Sequence, residues 1–131
     1  MALGYATTLR DNKLDQITTL AGTSAKLRIY NGVRPATGGT ATTLLCELIM
    51  SASAFAAASS GGVLTANAIS NGTAAATGTA TWFRIVKSDG TTHVMDGNVG
   101  TSGSDLNLNN TSIASGQTVS VTSFTITDGN P

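Results

Sequence analysis

Charged residues are scarce in this sequence. Asp, Glu, Lys and Arg make up 11% of its 131 residues, whereas a typical globular domain carries about 25%. Seven basic and seven acidic side chains give a formal net charge of zero, and the basic ones are dispersed along the chain. The dispersal excludes the basic patch that phosphate binding requires, so we expect no nucleic-acid partner. A neutral polar surface instead favours association with other protein surfaces.

Residues that carry catalysis or cross-links are equally few. The single cysteine, Cys46, lies in an apolar run and has no internal disulfide partner, so we interpret it as a buried core thiol. His93 is the one histidine, on an alternating strand pattern, and Glu47 is the one glutamate. No serine lies in a Gly-x-Ser-x-Gly turn, and three of the six aspartates directly precede a glycine, as turns require. We therefore expect no enzyme activity and no cofactor.

Metal and sugar sites lack their usual patterns too. The stretch from Asp105 to Asn109 has oxygen ligands at alternate positions, but a calcium loop would then need glycine at Asn110 and glutamate at Gly116. We interpret it as a polar strand face with a turn, and we predict no metal. Aromatic residues are 5% of the chain, and Trp82 lies in a strand pattern beside Phe83, so core packing is favoured over a sugar-stacking platform.

Long apolar runs are absent. No window approaches the roughly 20 apolar residues of a membrane span, and the start of the chain lacks a positively charged stretch followed by an apolar one. We therefore expect no membrane association and a protein that stays in the cell that makes it.

The sequence does contain one helical pattern, over residues 3–21. Its apolar residues fall within an arc of about 140° at helical spacing, and Gly22 is a plausible end. Arg10 and Lys13 lie on the same arc, which requires their stems to follow the apolar face with the charges in water. We expect the charged side chains of this helix to face solvent.

The rest of the chain alternates with a period of two. Apolar and polar residues alternate from Ala25 to Tyr30, and a second strand, at about 42–50, is apolar on both faces and is therefore predicted to be central in its sheet. The strongest strand pattern covers 77–87. Segment 51–60 fits a short helix, a loop or an extended arm. The last strand, at about 118–127, changes its apolar face midway, which predicts a bulge or a passage between two sheets.

Six to eight short strands separated by Gly, Asn and Asp turns indicate a mainly β fold. We predict an antiparallel β-sandwich or a jelly-roll-like, partly closed barrel with one N-terminal helix. The length fits a single domain, 1–131, with the helix at 3–21 and the β-sandwich at 25–127.

Four segments together resemble a group of small structural proteins of tailed bacteriophages. They are MALGYATTLRDNKLD at the start, LRIYNG followed by PATGG, ATWFRIV, and FTITDGNP at the end. The resemblance covers nearly the whole chain and lies in texture and segment order, without a catalytic motif. It implies a non-enzymatic, β-rich virion protein of the capsid decoration or cement type, made in the cytoplasm of the bacterial host and located on the capsid surface.

The implied partner is the major capsid protein, and shell symmetry favours a homo-oligomer, a dimer or a trimer. A tail, collar or baseplate component and a glycan-recognition module remain the alternatives. Contact elements are sought in the charged helix, in the arm at 51–60 and in the uncharged last strand, whose unprotected edge suits main-chain pairing with another chain. The candidate contact residues are Arg10, Lys13, Phe55, Phe124 and Ile126.

Overall fold

The computed structural model describes residues 3–59 and 61–128. Within them the chain forms one helix and eleven strands. The elements are α1 (Thr7–Ala21), β1 (Lys26–Tyr30), β2 (Leu44–Ile49), β3 (Val63–Thr65), β4 (Gly72–Thr73), β5 (Gly78–Thr79), β6 (Trp82–Val86), β7 (His93–Gly100), β8 (Leu106–Asn107), β9 (Ser112–Ile113), β10 (Thr118–Val119) and β11 (Thr125–Thr127).

The main sheet has five strands in the order β2-β1-β6-β7-β8 and curls into a half-barrel. Its pairs are antiparallel except β7 with β8, which run parallel. Three further ladders of two strands each pair β10 with β4, β11 with β3 and β5 with β9. The prediction of a mainly β fold with one N-terminal helix is confirmed, and the partly closed barrel is the better of the two architectures.

The alternation in β1 decides which face of the sheet is buried. Leu27 and Ile29 are fully buried, and they lie opposite Ile85 and Phe83 of β6. These side chains belong to one hydrophobic core that extends from Leu14 in the helix to residues of the last strands. The polar residues between them lie on the opposite face of the sheet.

The apolar pattern of β2 predicted a central strand. This prediction is wrong, because β2 lies at one end of the sheet order. Its outer edge is nevertheless covered, because Ser70 N donates to Ile49 O at 3.0 Å and Ala75 N donates to Leu45 O at 2.7 Å. Gly72 lies so close to this edge that a Cβ atom there would sit 2.4 Å from Glu47 O. The covering segment accounts for apolar residues on both faces of β2.

The helix begins at Thr7 rather than at residue 3, and it ends where Gly22 adopts a φ of 69° and donates to Thr18 O. Its predicted apolar arc is wrong, because Leu14 and Ala21 are buried while Leu9 and Leu20 are 46% and 48% exposed. A narrower stripe of Leu14, Ile17 and Ala21 packs on the core, and charged side chains of the helix add further attachment.

Two carboxylates of the helix bind backbone amides that lie within and just after the segment at 51–60. Asp15 Oδ1 accepts from Ala58 N and Asp11 Oδ1 accepts from Gly62 N, both at 2.7 Å. The expectation that the charged helix side chains face only solvent is therefore wrong for these two residues.

Segment 51–59 is a docked, extended stretch and not a free arm; Ser60 lies outside the described residues. Ala56 N donates to Thr65 O and Ser59 N donates to Val63 O, each at 2.9 Å. Phe55 anchors the segment in the core with 2% of its surface exposed.

The predicted last strand is divided into β10 and β11, which pair with different partners. Val119, Val121 and Phe124 are buried, with two exposed residues between the last two. The change of apolar face is thus confirmed as a passage from one ladder to another.

Candidate functional site

All seven carboxylates of the chain are engaged by other groups of the same chain. Three of them hold backbone amides: Asp11 and Asp15 fix the segment that faces the helix, and Asp105 Oδ2 accepts from Asn98 N at 2.8 Å. Asp89 accepts from the amides of Thr91 and Thr92. Glu47 and Asp96 pair with arginines, and Asp128 pairs with Lys13. The acidic side chains therefore serve the fold.

Four of the charged residues form one row across the polar face of the sheet. Glu47, Arg28, Arg84 and Asp96 are consecutive cross-strand neighbours in β2, β1, β6 and β7. Arg28 Nε lies 2.7 Å from Glu47 Oε2, and Arg84 binds Asp96 through two nitrogens at 2.7 and 3.1 Å. Opposite charges at the two ends of the row hold the two central arginines side by side.

The row shifts the ionisation of its members. Burial tends to raise the pKa of Asp96, but the hydrogen bonds and charge of Arg84 and the Gly38 amide outweigh it and lower that pKa. The hydrogen bond to Asp96 raises the pKa of Arg84. Burial lowers the pKa of Arg28, but Glu47 more than offsets this effect, so the pKa rises. Asp96, Arg84 and Arg28 are thus held in their charged forms near neutral pH.

The row also fastens the loop over residues 31–43 to the sheet. Gly38 N donates to Asp96 Oδ2 at 3.0 Å, and Arg84 Nη2 donates to Gly39 O at 2.8 Å. Arg84 uses three of its five N–H donors, and Asp96 uses both of its oxygens, to hold the sheet and this loop together. The row is a structural network.

Trp82 closes the other end of the same loop. It is fully buried, stacks on Tyr30 with ring centroids 4.4 Å apart, and donates through Nε1 to Asn31 O and Thr42 Oγ1. Core packing is therefore confirmed for Trp82, and its ring is not available as a platform for a sugar.

His93 and Cys46 have the surroundings that their patterns predicted. His93 is half-buried at the start of β7, with Nε2 3.1 Å from Asp96 Oδ1, and no hydroxyl or thiol in the described residues hydrogen-bonds to its ring. Cys46 is fully buried, and this burial raises the pKa of its thiol. Neither residue forms part of a nucleophile and base pair.

Arg10 and Lys13 both lie at the junction of the helix with the end of β11. Lys13 Nζ is 3.1 Å from Asp128 Oδ2 and 4.4 Å from the centre of the Tyr5 ring. Arg10 lies under the turn at Gly61 and Gly62, whose positive φ angles of 75° and 113° allow the turn to approach it. Lys13 already has an acidic partner, so its predicted role as a cation for a partner's carboxylate is weakened.

The two phenylalanines predicted as contact residues are in the core. Phe55 and Phe124 are 2% and 3% exposed, with ring centroids 5.9 Å apart, and Phe124 also packs edge-on against Phe83. Because they are buried, their side chains offer no surface to a partner. The prediction was wrong because the strand pattern did not show which apolar side faces inward. Ile126 is half-buried and packs against the same core.

The last strand is one side of an interrupted antiparallel ribbon. Thr125 pairs with Thr65 and Thr118 pairs with Thr73. Adding the numbers of the paired residues gives 190 for the first ladder and 191 for the second, so the two ladders differ in register by a single residue. They are halves of one ribbon, formed by residues 62–74 and 116–128, with a slip at its middle.

At this slip the backbone of residues 120–123 is left unpaired. None of their N–H or C=O groups has a hydrogen-bond partner in the described residues. The facing stretch turns to a different neighbour, since Asn67 N donates to Ala54 O and Ser70 N donates to Ile49 O. Ser120, Thr122 and Ser123 are exposed. We call residues 120–123 the open edge.

Hollows lie on both sides of the open edge. One, of about 120 Å³, separates it from residues 66–69, and another, of about 200 Å³, lies between residues 108–113 and 117–120. No charged side chain lines either hollow; the larger one has the amides of Asn109, Asn110 and Gln117 around Ile113 and Val119. A neutral, amide-rich surface of this kind suits main-chain pairing with another polypeptide.

Sequence reasoning found the uncharged last strand and predicted a bulge or a passage within it, but it missed the charged row and the pairing partners of the strand. The row could have been suspected, because its four residues occupy polar positions of alternating strands. The slip depends on pairing partners about 50 residues apart in sequence, which no local pattern reveals.

No group of three or more His, Cys, Asp or Glu side chains in the described part of the chain could hold a metal ion. No helix in residues 3–59 or 61–128 is long and apolar enough to cross a membrane.

No family model, curated protein or solved structure matches the chain.

Proposed function

We propose that this protein is a non-enzymatic structural subunit of a tailed-bacteriophage virion, of the decoration or cement type, that binds the assembled head. The open edge carries the proposal, because it presents unpaired main-chain groups on an exposed segment without charge. The resemblance of the sequence to small phage structural proteins supports the particle to which we assign it.

The mechanism is preferential binding to the assembled shell. A subunit stabilises a lattice only if it binds the lattice more tightly than the free coat protein. An extended coat segment that is ordered only in the shell would pair with the open edge there and nowhere else. Main-chain pairing is indifferent to side-chain charge, which fits a segment that carries no charged side chain.

The first experiment measures binding to particles that lack the protein. Purified protein is incubated with such heads, both empty and full, the particles are pelleted, and bound copies per particle are counted. Saturation at many copies per head, with greater resistance of the head to heat, is the expected result. A few copies per particle would instead indicate the tail, collar or baseplate position, and no binding would overturn the proposal.

A matched pair of variants tests the open edge itself. Thr122→Lys places a charge on the edge, which is how natural sheets discourage strand addition, and we expect particle binding to fall by at least about tenfold. Thr23→Lys makes the same change at an exposed residue in the turn after α1 and should bind as the unmodified protein does. Equal binding by both variants would exclude the open edge.

Ionic strength separates the open edge from the helix as the contact element. Salt screens exposed charges, with a Debye length of about 10 Å at 0.1 M, so contact through Arg10 should weaken as salt is added. Binding through the open edge should change little.

A further inference from the structure

One exposed apolar residue has no role in the fold. Val33 is 86% exposed, the most exposed of the large hydrophobic residues in the described chain. Next to it, Arg34 is exposed and makes no ion pair or hydrogen bond with the described residues. The loop therefore presents one apolar and one cationic side chain to solvent, neither of which bonds within the described chain.

The pair is held in place on both sides. Before it, Gly32 O accepts from the Thr81 hydroxyl, and after it the charged row fixes Gly38 and Gly39 to Asp96 and Arg84. Pro35 follows directly and restricts Arg34 to extended backbone conformations. Such a rigid tip loses little entropy on binding. We call residues 33–34 the loop tip.

A hollow of about 160 Å³ elsewhere on the molecule has complementary chemistry. It lies between β7 and β11, with Phe83 and Phe124 among its lining residues, and its charged lining residues are Asp96 and Asp105. The Asp96 carboxylate is taken by Arg84, whereas Asp105 is exposed and Oδ1 has no partner in the described residues. We call this the acidic hollow.

The hollow is also an open seam of the barrel. β7 pairs with β6 and β8, and β11 pairs with β3, but no ladder joins β7 to β11. Phe124 and Asp128 use their backbone groups toward β3, so by the alternation of an antiparallel ladder Thr125 and Thr127 direct theirs away from it, toward the hollow. The seam therefore offers both an apolar floor and main-chain groups to an inserted segment.

We infer that the loop tip of one copy docks in the acidic hollow of a second copy. Val33 covers the apolar floor, and Arg34 pairs with the Asp105 carboxylate. The second copy is the occupant because the chain itself displays both halves of the contact: a free cation beside an apolar side chain, and an apolar hollow with an acidic rim and no base. The contact joins two different surfaces, so it produces a ring such as a trimer where the rotation between copies closes, and an open filament where it does not. It is independent of the particle to which the protein belongs.

Charge reversal tests the contact in the purified protein. Sedimentation equilibrium over a concentration series gives the mass of the unmodified chain and of Arg34→Glu, Asp105→Arg and Val33→Asp. The unmodified chain is expected to self-associate, and each variant to have a dissociation constant raised by about tenfold or more. Lys87→Glu changes the net charge as Arg34→Glu does and should leave association unchanged.

Mixing the variants provides the sharper test. An Arg34→Glu copy keeps an intact acidic hollow and an Asp105→Arg copy keeps an intact loop tip, so an equimolar mixture should associate although neither variant does so alone. If Asp105→Arg fails to fold, as judged by circular dichroism, Asp105→Asn retains an oxygen for the Asn98 amide while removing the charge. A monomeric unmodified chain, or association that Arg34→Glu and Val33→Asp leave unchanged, would overturn the inference.

These outcomes are separable from those of the proposed function. A monomer that saturates phage heads refutes the contact between copies and leaves the decoration role intact. An oligomer that binds no particle does the opposite.

Discussion

The five-stranded sheet and the C-terminal ribbon are paired by the same kind of backbone bond but are built very differently. Each of β1, β2 and β6 has five or six residues. In the ribbon, β10 and β4 share two residue pairs, and β11 and β3 share three. The charged row crosses the polar face of the sheet, whereas residues 118–127 have no charge.

The difference indicates a division of labour. The sheet joins its longest strands and pairs its arginines with carboxylates, so it is the stable scaffold. The ribbon leaves main-chain groups unpaired at its slip, so it has bonding capacity that the fold does not use. Contact surfaces are commonly placed in such weakly paired regions and held by a rigid scaffold.

Hydrogen exchange should show the largest contrast between the two regions. Amides in the β1 and β6 ladders exchange only when the protein opens, which costs about 5 kcal/mol or more if it requires global unfolding. The amides of residues 120–123 have no acceptor and should exchange at least about 10³-fold faster. Mass spectrometry of peptides over time measures both, and equal protection would show that the open edge is paired in solution.

Truncation of a core side chain in each region should differ next. Phe83→Ala removes a fully buried ring from the sheet and should lower the free energy of unfolding by about 3–5 kcal/mol. Ile126→Ala, on the half-buried face of β11, should cost about 1 kcal/mol. Urea unfolding measures both values, and comparable losses would contradict the assignment of the scaffold to the sheet.

Breaking the charged row should have an effect of similar or smaller size. Asp96→Ala leaves Arg84, whose side chain is 11% exposed, without its carboxylate and should cost about 3 kcal/mol. Glu47→Ala at the more exposed end of the row, where Arg28 keeps its bond to Gly90 O, should cost about 1 kcal/mol. Chemical denaturation at neutral pH measures the difference, and a larger loss for Glu47→Ala would reverse the order proposed for the two ends.

Asp96 also makes the stability of the protein depend on pH in the acidic range. Because the folded state lowers the pKa of Asp96, its contribution is fully present above the unfolded value of about 3.9 and is lost as pH falls through the lower folded value. The unmodified protein should therefore lose stability below about pH 4, and Asp96→Asn should lose less over the same range. Thermal melting at a series of pH values checks this, and parallel curves would exclude the role given to Asp96.

The smallest effect is expected where the helix meets the ribbon. Lys13 and Asp128 form an ion pair in which the lysine side chain is 45% exposed, so Lys13→Ala should cost less than about 1 kcal/mol. Asp11→Ala, which leaves the Gly62 amide without its side-chain acceptor, should cost more. Melting temperatures of the two variants rank them, and a larger loss for Lys13→Ala would contradict this order.

Local sequence patterns predicted where the helix and strands lie better than they predicted which elements pack against each other. The alternation from Ala25 to Tyr30 located β1 almost to the residue, and Gly22 was the correct end of the helix. The dipeptide Asn71-Gly72 has the sequence of a turn, but Gly72 lies in β4 because only glycine fits against Glu47 O. A residue chosen for close approach has the same sequence signature as one chosen for a turn.

Composition and local periodicity were sufficient to predict the fold class, the burial of Cys46 and Trp82, and the absence of charge from the last strand. These features depend on periods of two and 3.6, which act over a few residues. The inward orientation of Phe55 and Phe124, the ion pair of Lys13 and the one-residue slip of the ribbon depend instead on the folded arrangement. They are set by contacts between segments far apart in the chain, and the energy of such a contact depends on both segments together.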